Sequence, residues 1–147
     1  MNREHWMELA LSEAEKCLET GDIPVGCVIV CGGEVIAAGH NCREAAHNVL
    51  GHAEIMALDA ACRRLGRWRL SDCELYVTLE PCPMCAGAIL NARLGALIYG
   101  ACEPKTGSCG SVVNLFEEPY PYRVPVYGGV LEDRCADIMQ HFFDTLR

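Results

Sequence analysis

The chain has 147 residues, of which 51% are hydrophobic, and its formal net charge at pH 7 is −8. This length is enough to bury one sizeable core, and no linker, repeat or low-complexity tract divides it, so we expect a single domain over residues 1–147. No apolar stretch predicts a membrane span or a signal peptide, which indicates a cytoplasmic protein without a membrane partner. The acidic charge argues against general attraction to phosphate backbones, and no DNA partner is expected.

The predicted elements, in chain order, alternate between helices and strands. They are a helix over residues 6–18, a hairpin of strands 25–30 and 35–38, a helix from 52 to 65, a strand over 75–78, a helix over 83–90, strands over 96–99 and 124–127, and a closing helix over 131–146. The pair Gly32-Gly33 marks the hairpin turn. This order predicts an α/β fold in which a central mixed five-stranded sheet lies between helices in a three-layer α/β/α arrangement.

Two short motifs carry the chemistry: His52-Ala53-Glu54, and Cys82 with Cys85 in a Pro-Cys-Pro-Met-Cys run. Zinc takes tetrahedral nitrogen and sulfur ligands, and a catalytic site leaves its fourth position for water. His52, Cys82 and Cys85 are therefore candidate ligands of one Zn²⁺ ion. Glu54 is then free to face the water as general acid and base.

The positions of the ligands favour one site. Cys82 and Cys85 are three residues apart where a helix opens, so their sulfurs share one face. A helix N-terminus also favours the thiolate that zinc requires. His52 opens another helix, and we expect the two helix N-termini to converge on one ion. The eleven cysteines of the chain are expected to be reduced, with two as ligands and most others in the core.

Each motif has a less specific interpretation. A Cys-x-x-Cys pair alone also fits a structural zinc half-site or a redox motif, and Glu54 alone fits an exposed first-turn residue that the helix dipole stabilises. Four arginines, Arg63, Arg64, Arg67 and Arg69, form either an RNA-binding patch or an ordinary solvated surface. The His-x-Glu motif followed by Pro-Cys-x-x-Cys matches the zinc-deaminase signature and favours the catalytic interpretation.

With these motifs, the chain resembles the bacterial tRNA-specific adenosine deaminases over nearly its whole length. The similar segments are residues 22–26, Asn41, residues 52–58 and 75–88, Lys105-Thr106-Gly107, and Gly110-Ser111. The resemblance implies a cytidine deaminase-like fold, one zinc ion per subunit, a homodimer, and conversion of the wobble adenosine of an arginine tRNA to inosine. The anticodon stem-loop would be the partner, and the implied substrate contacts are Asn41, Glu103, Lys105 and Arg123.

Two other functions stay open. The acidic charge also suits a deaminase of a free purine such as guanine, or of a related small heterocycle. A protein of another class, a noncatalytic zinc-stabilised RNA-binding subunit, would use the same ligands, although the presence of Glu54 weighs against it. The apolar run that includes Val112, Val113, Leu115 and Phe116 is either a dimer surface or ordinary core.

Overall fold

A five-stranded sheet forms the centre of the computed structural model, which describes residues 2–146. The elements are α1 (Arg3–Glu15), β1 (Gly26–Cys31), β2 (Glu34–His40), α2 (Arg43–Ala46), α3 (Ala53–Leu65), β3 (Cys73–Leu79), α4 (Pro83–Ala92), β4 (Ala96–Ala101), β5 (Val126–Tyr127) and α5 (Glu132–Thr145). The strand order is β2-β1-β3-β4-β5. Pairing is antiparallel on both sides of β1 and parallel from β3 to β5, which confirms the predicted mixed sheet.

Helices cover both faces of the sheet, because side chains along each strand point alternately to opposite sides. Ile29, Leu75 and Leu97 belong to the core under α3 and α4. Their neighbours Val28, Tyr76 and Ile98 belong to a second core, under α1 and α5. These two cores confirm the predicted three-layer α/β/α arrangement.

Glycines allow the close turns and contacts that this packing needs. Gly32 and Gly33 both have positive φ, of 61° and 78°, so the β1–β2 hairpin turns tightly at the predicted place. At Gly39 a Cβ atom would lie 2.4 Å from the carbonyl oxygen of Ala53. The missing side chain therefore lets the first turn of α3 approach β2 closely.

The structure differs from the sequence prediction at several elements, among them a 3-10 helix over Leu115–Glu117 that was not predicted. The first α-helix ends at Glu15 and continues as a 3-10 helix over Lys16–Glu19. Strand β5 has two residues, since Pro125 has no N–H and its carbonyl accepts the Leu97 N–H at 2.9 Å. The four-residue α2 was not predicted, because one turn shows no periodicity. No helix within residues 2–146 combines the length and apolarity that a bilayer crossing needs.

Candidate active site

The N-termini of α3 and α4 meet at one end of the sheet. His52 and Cys82 are the N-cap residues of these helices, both with extended backbone, and Cys85 lies in the first turn of α4. Pro83 occupies the start of α4, where a missing N–H costs nothing. Local sequence therefore sets where each helix begins, and the sheet brings the two beginnings together.

The three candidate ligands have the spacing of a metal site. His52 Nδ1 lies 3.7 Å from Cys82 Sγ and 3.6 Å from Cys85 Sγ. Tetrahedral zinc with ordinary bond lengths places a nitrogen and a sulfur ligand about 3.6 Å apart. Within residues 2–146, no fourth His, Cys, Asp or Glu joins this group. The donor set therefore fits a zinc ion that keeps one coordination position open.

Glu54 is buried beside these ligands, with 4% of its surface exposed. Burial raises the pKa of its carboxyl to about 7. A carboxyl that titrates near neutral pH can both accept and donate a proton. Glu54 is thus not the exposed first-turn residue that the less specific interpretation requires.

The two thiols differ in protonation. A hydrogen bond from Cys85, opposed by partial burial and supported by His52, lowers the pKa of Cys82 to about 4. The pKa of Cys85 is raised, because its thiol donates to Cys82 and is buried. Cys82 is therefore a thiolate at neutral pH, which is the form that zinc binds.

A cavity of about 440 Å³ opens in front of the ligands. His52, Glu54 and Cys82 line its base; Ile23, Val25, Leu79, Met139 and Phe143 supply apolar surface; Asn41, Arg43, Glu80, Glu103, Lys105 and Thr106 supply polar groups. Its volume is in the range of small-molecule sites and accommodates a nucleobase. A depression of about 610 Å³ beside Asn2 and Glu74 contains none of the candidate ligands.

The predicted substrate-contact residues divide into two groups. Asn41, Glu103 and Lys105 line the cavity, and Asn41 Oδ1 also accepts the Ala53 N–H at 3.0 Å. Arg123 does not line the cavity. Its guanidinium donates to the carbonyls of Phe116 and Glu118, at 3.4 and 3.0 Å, and so holds the chain segment before β5.

The sequence analysis did not predict several of the residues that line the cavity. Met139 and Phe143 are four residues apart on α5, a spacing that predicts a shared face but not which end of the sheet it meets. Arg43 belongs to α2, which the buried carboxylate of Asp22 pins by accepting the Glu44 N–H at 2.7 Å. No local signal identifies Arg43, because the contact that places it joins residues 22 apart.

Most of the arginine cluster is engaged locally. Arg63 pairs with Asp59, Arg64 with Glu34, and Arg67 with Asp72. Arg69 and Arg93 both lie against the ring of the exposed Trp68, with guanidinium carbons 5.4 and 5.5 Å from its centre. The first three arginines therefore match the solvated-surface interpretation.

A second group of ligand-type side chains, Cys31, Asp72 and Cys73, lies at the far end of β1 and β3. Arg67 Nη2 donates to both oxygens of Asp72, at 2.8 and 2.9 Å. Burial, with the nearby Cys31 and Asp72, raises the pKa of Cys73 to about 12. Arg67 holds the carboxylate of this group and its Cys73 thiol is protonated, so the group does not have the character of an ion site.

The apolar run before β5 is divided between surface and core. Val112 and Val113 are 55% and 48% exposed, whereas Phe116 is buried against the α3–α4 core. Phe116 is therefore ordinary core, and the dimer-surface interpretation stays a prediction for Val112 and Val113.

Comparisons with known proteins agree with this geometry. The family model of the MafB19-like deaminases matches residues 1–147. The tRNA-specific adenosine deaminase of Bacillus subtilis (strain 168) is 46% identical over 145 residues, covering 98% of this chain and 90% of that protein.

Two solved structures are also similar. One comes from a study of A-to-I editing by tRNA:A34 deaminases at the wobble position; it is 46% identical, with a TM-score of 0.88, over 92% of this chain and 99% of its own. A guanine deaminase from Bacillus subtilis is 34% identical, with a TM-score of 0.67, over 98% of this chain and 95% of its own.

Proposed function

This chain belongs to the MafB19-like deaminase family and, within it, to the tRNA-specific adenosine deaminases, and from that premise we propose that it edits a tRNA. The proposed reaction is zinc-dependent hydrolytic deamination of the wobble adenosine to inosine in the anticodon of an arginine tRNA. The family membership agrees with the resemblance carried by the His-x-Glu and Pro-Cys-x-x-Cys motifs.

One observation carries the proposal: His52, Cys82 and Cys85 have zinc-ligand spacing, and Glu54 lies beside them in the same cavity. A structural zinc site would use four protein ligands. Three ligands with an adjacent carboxyl instead correspond to the zinc deaminases. A zinc ion held by these residues would supply Lewis acidity that activates water for attack on a ring carbon.

Glu54 carries the protons in the proposed reaction. Its carboxylate takes a proton from the attacking water and delivers it to N1 of the adenine ring, while the new C–O bond forms at C6. The same carboxyl then moves a second proton to the amino group, which leaves as ammonia. Burial keeps Glu54 away from bulk water, so the protons are exchanged with the substrate.

Recognition of RNA must be local, since the formal net charge of −8 gives no general attraction to phosphates. Arg43 and Lys105 supply positive charge at the cavity, and the exposed Phe143 ring offers a stacking surface there. An unpaired anticodon base can be turned out and read by stacking and polar contacts. These features support an anticodon stem-loop as the partner.

We also propose a cytoplasmic homodimer. The exposed Val112 and Val113 give each subunit an apolar surface, on the segment between Ser111 and β5. Burying such side chains against a second copy would remove apolar area from water.

Guanine is a second candidate substrate. The support is the 34% identity to the Bacillus subtilis guanine deaminase, together with the acidic charge of this chain. A free base needs no phosphate contacts, so this candidate does not require Arg43 or Lys105 to bind a backbone.

The test is an incubation of the zinc-loaded protein with an arginine anticodon hairpin, a matched hairpin with guanosine at the wobble position, free adenosine and free guanine. Inosine in the first hairpin, with no ammonia from the other three, is the expected result. Ammonia from guanine and an unchanged hairpin would replace the proposal by its alternative. No product from any substrate, despite bound zinc, would favour a noncatalytic binding subunit.

A further inference from the structure

Glu80 is a buried carboxylate next to the metal ligands, and no step of the proposed reaction uses it. It follows β3, precedes Pro81-Cys82, and has 2% of its surface exposed. Burying a charged carboxylate is costly unless hydrogen bonds replace its water. The hydrogen-bond donors to the Glu80 carboxylate therefore indicate its structural role.

Every hydrogen bond that Glu80 accepts comes from one loop after β4, residues 103–111, here called the cavity loop. The backbone N–H groups of Glu103, Cys109 and Ser111 donate to it at 3.0, 2.8 and 3.1 Å. The Ser111 hydroxyl donates as well. The two carboxylate oxygens thus hold both ends of a loop that has no helix or strand of its own.

The cavity loop packs closely around this carboxylate. A Cβ atom on Gly107 would lie 2.5 Å from the Glu80 carboxyl group and 2.5 Å from the Glu103 carbonyl oxygen. Lys105 and Thr106, just before that glycine, line the cavity that contains the metal ligands. Glu80 therefore contacts the loop at Gly107 and reaches the wall of the same cavity, beside the residues that the loop places there.

We propose that Glu80 is a positioning residue, whose buried carboxylate holds the cavity loop so that Lys105 and Thr106 are set for the substrate. This inference rests on the proposed function, because it assigns the loop to binding of the anticodon hairpin. Glu80 lies one residue before Pro81 and two before Cys82, so the same residue joins the start of the metal-binding helix to the substrate loop.

The test variant is Glu80→Gln, which keeps the size of the side chain. Its NH₂ group faces N–H donors, so at least one loop bond is replaced by a contact between two donors. We expect KM for the hairpin to rise about 10-fold to 100-fold, the range given by one unsatisfied buried group, with kcat nearly unchanged. Zinc content should equal that of the unmodified protein.

Two further variants test whether the rise in KM depends on the hydrogen bonds between Glu80 and the loop. Ser111→Ala removes one donor and leaves three N–H groups on the carboxylate, so its KM should rise less than that of Glu80→Gln. Glu74→Gln changes a carboxylate on β3 that, within residues 2–146, accepts a hydrogen bond only from the Tyr76 hydroxyl, and its KM should not change. If Glu80→Gln does not fold, a KM for Ser111→Ala equal to the unmodified value overturns the proposal.

A substrate-independent measurement separates this inference from the proposed function. In Glu80→Gln, hydrogen exchange at one or more of the Glu103, Cys109 and Ser111 amides should become faster by at least about 10-fold, since the NH₂ group of glutamine replaces the acceptor of at least one of them. Unmodified protein without activity on the hairpin would refute the proposed function, and the exchange rates would still decide the role of Glu80. Unchanged exchange, loss of zinc, or a fall in kcat at constant KM would each overturn the positioning role.

Discussion

Two groups of thiols, each with a third ligand-type side chain, lie at opposite ends of β3. His52, Cys82 and Cys85 follow its end, and Cys31, Asp72 and Cys73 surround its start. At the first group both segments that carry the candidate ligands begin helices, and one thiol has a pKa of about 4. At the second group an arginine holds the carboxylate, and one thiol has a pKa of about 12.

The difference indicates that proximity of ligand atoms alone does not predict a metal site. Helix N-termini at the first group favour negative charge on the ligands, and a cavity gives access for substrate. At the second group Arg67 already neutralises Asp72, and Cys73 is fully buried in the sheet. We therefore expect only the first group to bind zinc, and the following predictions test that contrast.

The largest effect is expected from Cys82→Ser. Serine gives no thiolate, so the variant should lose most of its bound zinc and all measurable deamination. The matched control is Cys31→Ser, which changes a partly exposed thiol of the second group and should keep the zinc content of the unmodified protein. Metal analysis of both proteins after gel filtration makes the comparison. Equal zinc loss from the two variants would remove the distinction between the groups.

Glu54→Gln should separate catalysis from metal binding at the first group. The amide cannot carry protons, so kcat should fall about 10²-fold to 10⁴-fold, while the zinc content stays unchanged. Rates of inosine release measure the first quantity, and metal analysis of the same preparation measures the second. A variant that retains substantial activity would rule out Glu54 as the proton carrier.

Gly39→Ala should show that the first group depends on close helix packing. The added Cβ would lie 2.4 Å from the Ala53 carbonyl oxygen at the start of α3, so the free energy of unfolding should fall by about 1–3 kcal/mol. Gly87→Ala, inside α4 with nothing within 4 Å of the added Cβ, should change it by about 1 kcal/mol or less, toward stability. Urea unfolding of the two variants measures both. Similar changes in the free energy of unfolding for the two variants would mean that α3 can move away from β2 at little cost.

The smallest effect is expected from Arg67→Ala. Its ion pair with Asp72 is exposed, so the melting temperature should change little. Zinc stoichiometry should also stay the same, because burial still keeps the Cys73 thiol protonated. A second equivalent of zinc bound by this variant would show that the arginine alone keeps the second group from binding metal.

Sequence predicted the parts of the molecule that short patterns encode. The strand alternation, the Gly32-Gly33 turn and the helix starts at His52 and Cys82 each depend on a few adjacent residues, and the three-layer fold is confirmed. The grouping of the candidate ligands followed from those helix starts. The roles of Glu54 and the ligands stay predictions that the variants above test.

Contacts between distant segments were not predictable. Glu80 bonds to residues 23 to 31 positions later, and Asp22 bonds to residue Glu44, so no local pattern marks either contact. The contacts of Arg123 were not predictable from the sequence either. The family resemblance implied a substrate contact, which stays a prediction, but nothing in the sequence indicated that its guanidinium donates to the carbonyls of Phe116 and Glu118.

The most direct test is a zinc titration of the metal-free protein, followed by inosine formation in the arginine anticodon hairpin as zinc is added. The rate should rise linearly and reach its maximum at one zinc ion per chain, and the Cys31→Ser variant should give the same curve. Inosine formation that is unaffected by removal of zinc, or that needs a second equivalent, would contradict the assignment of the reaction to a single zinc site at His52, Cys82 and Cys85.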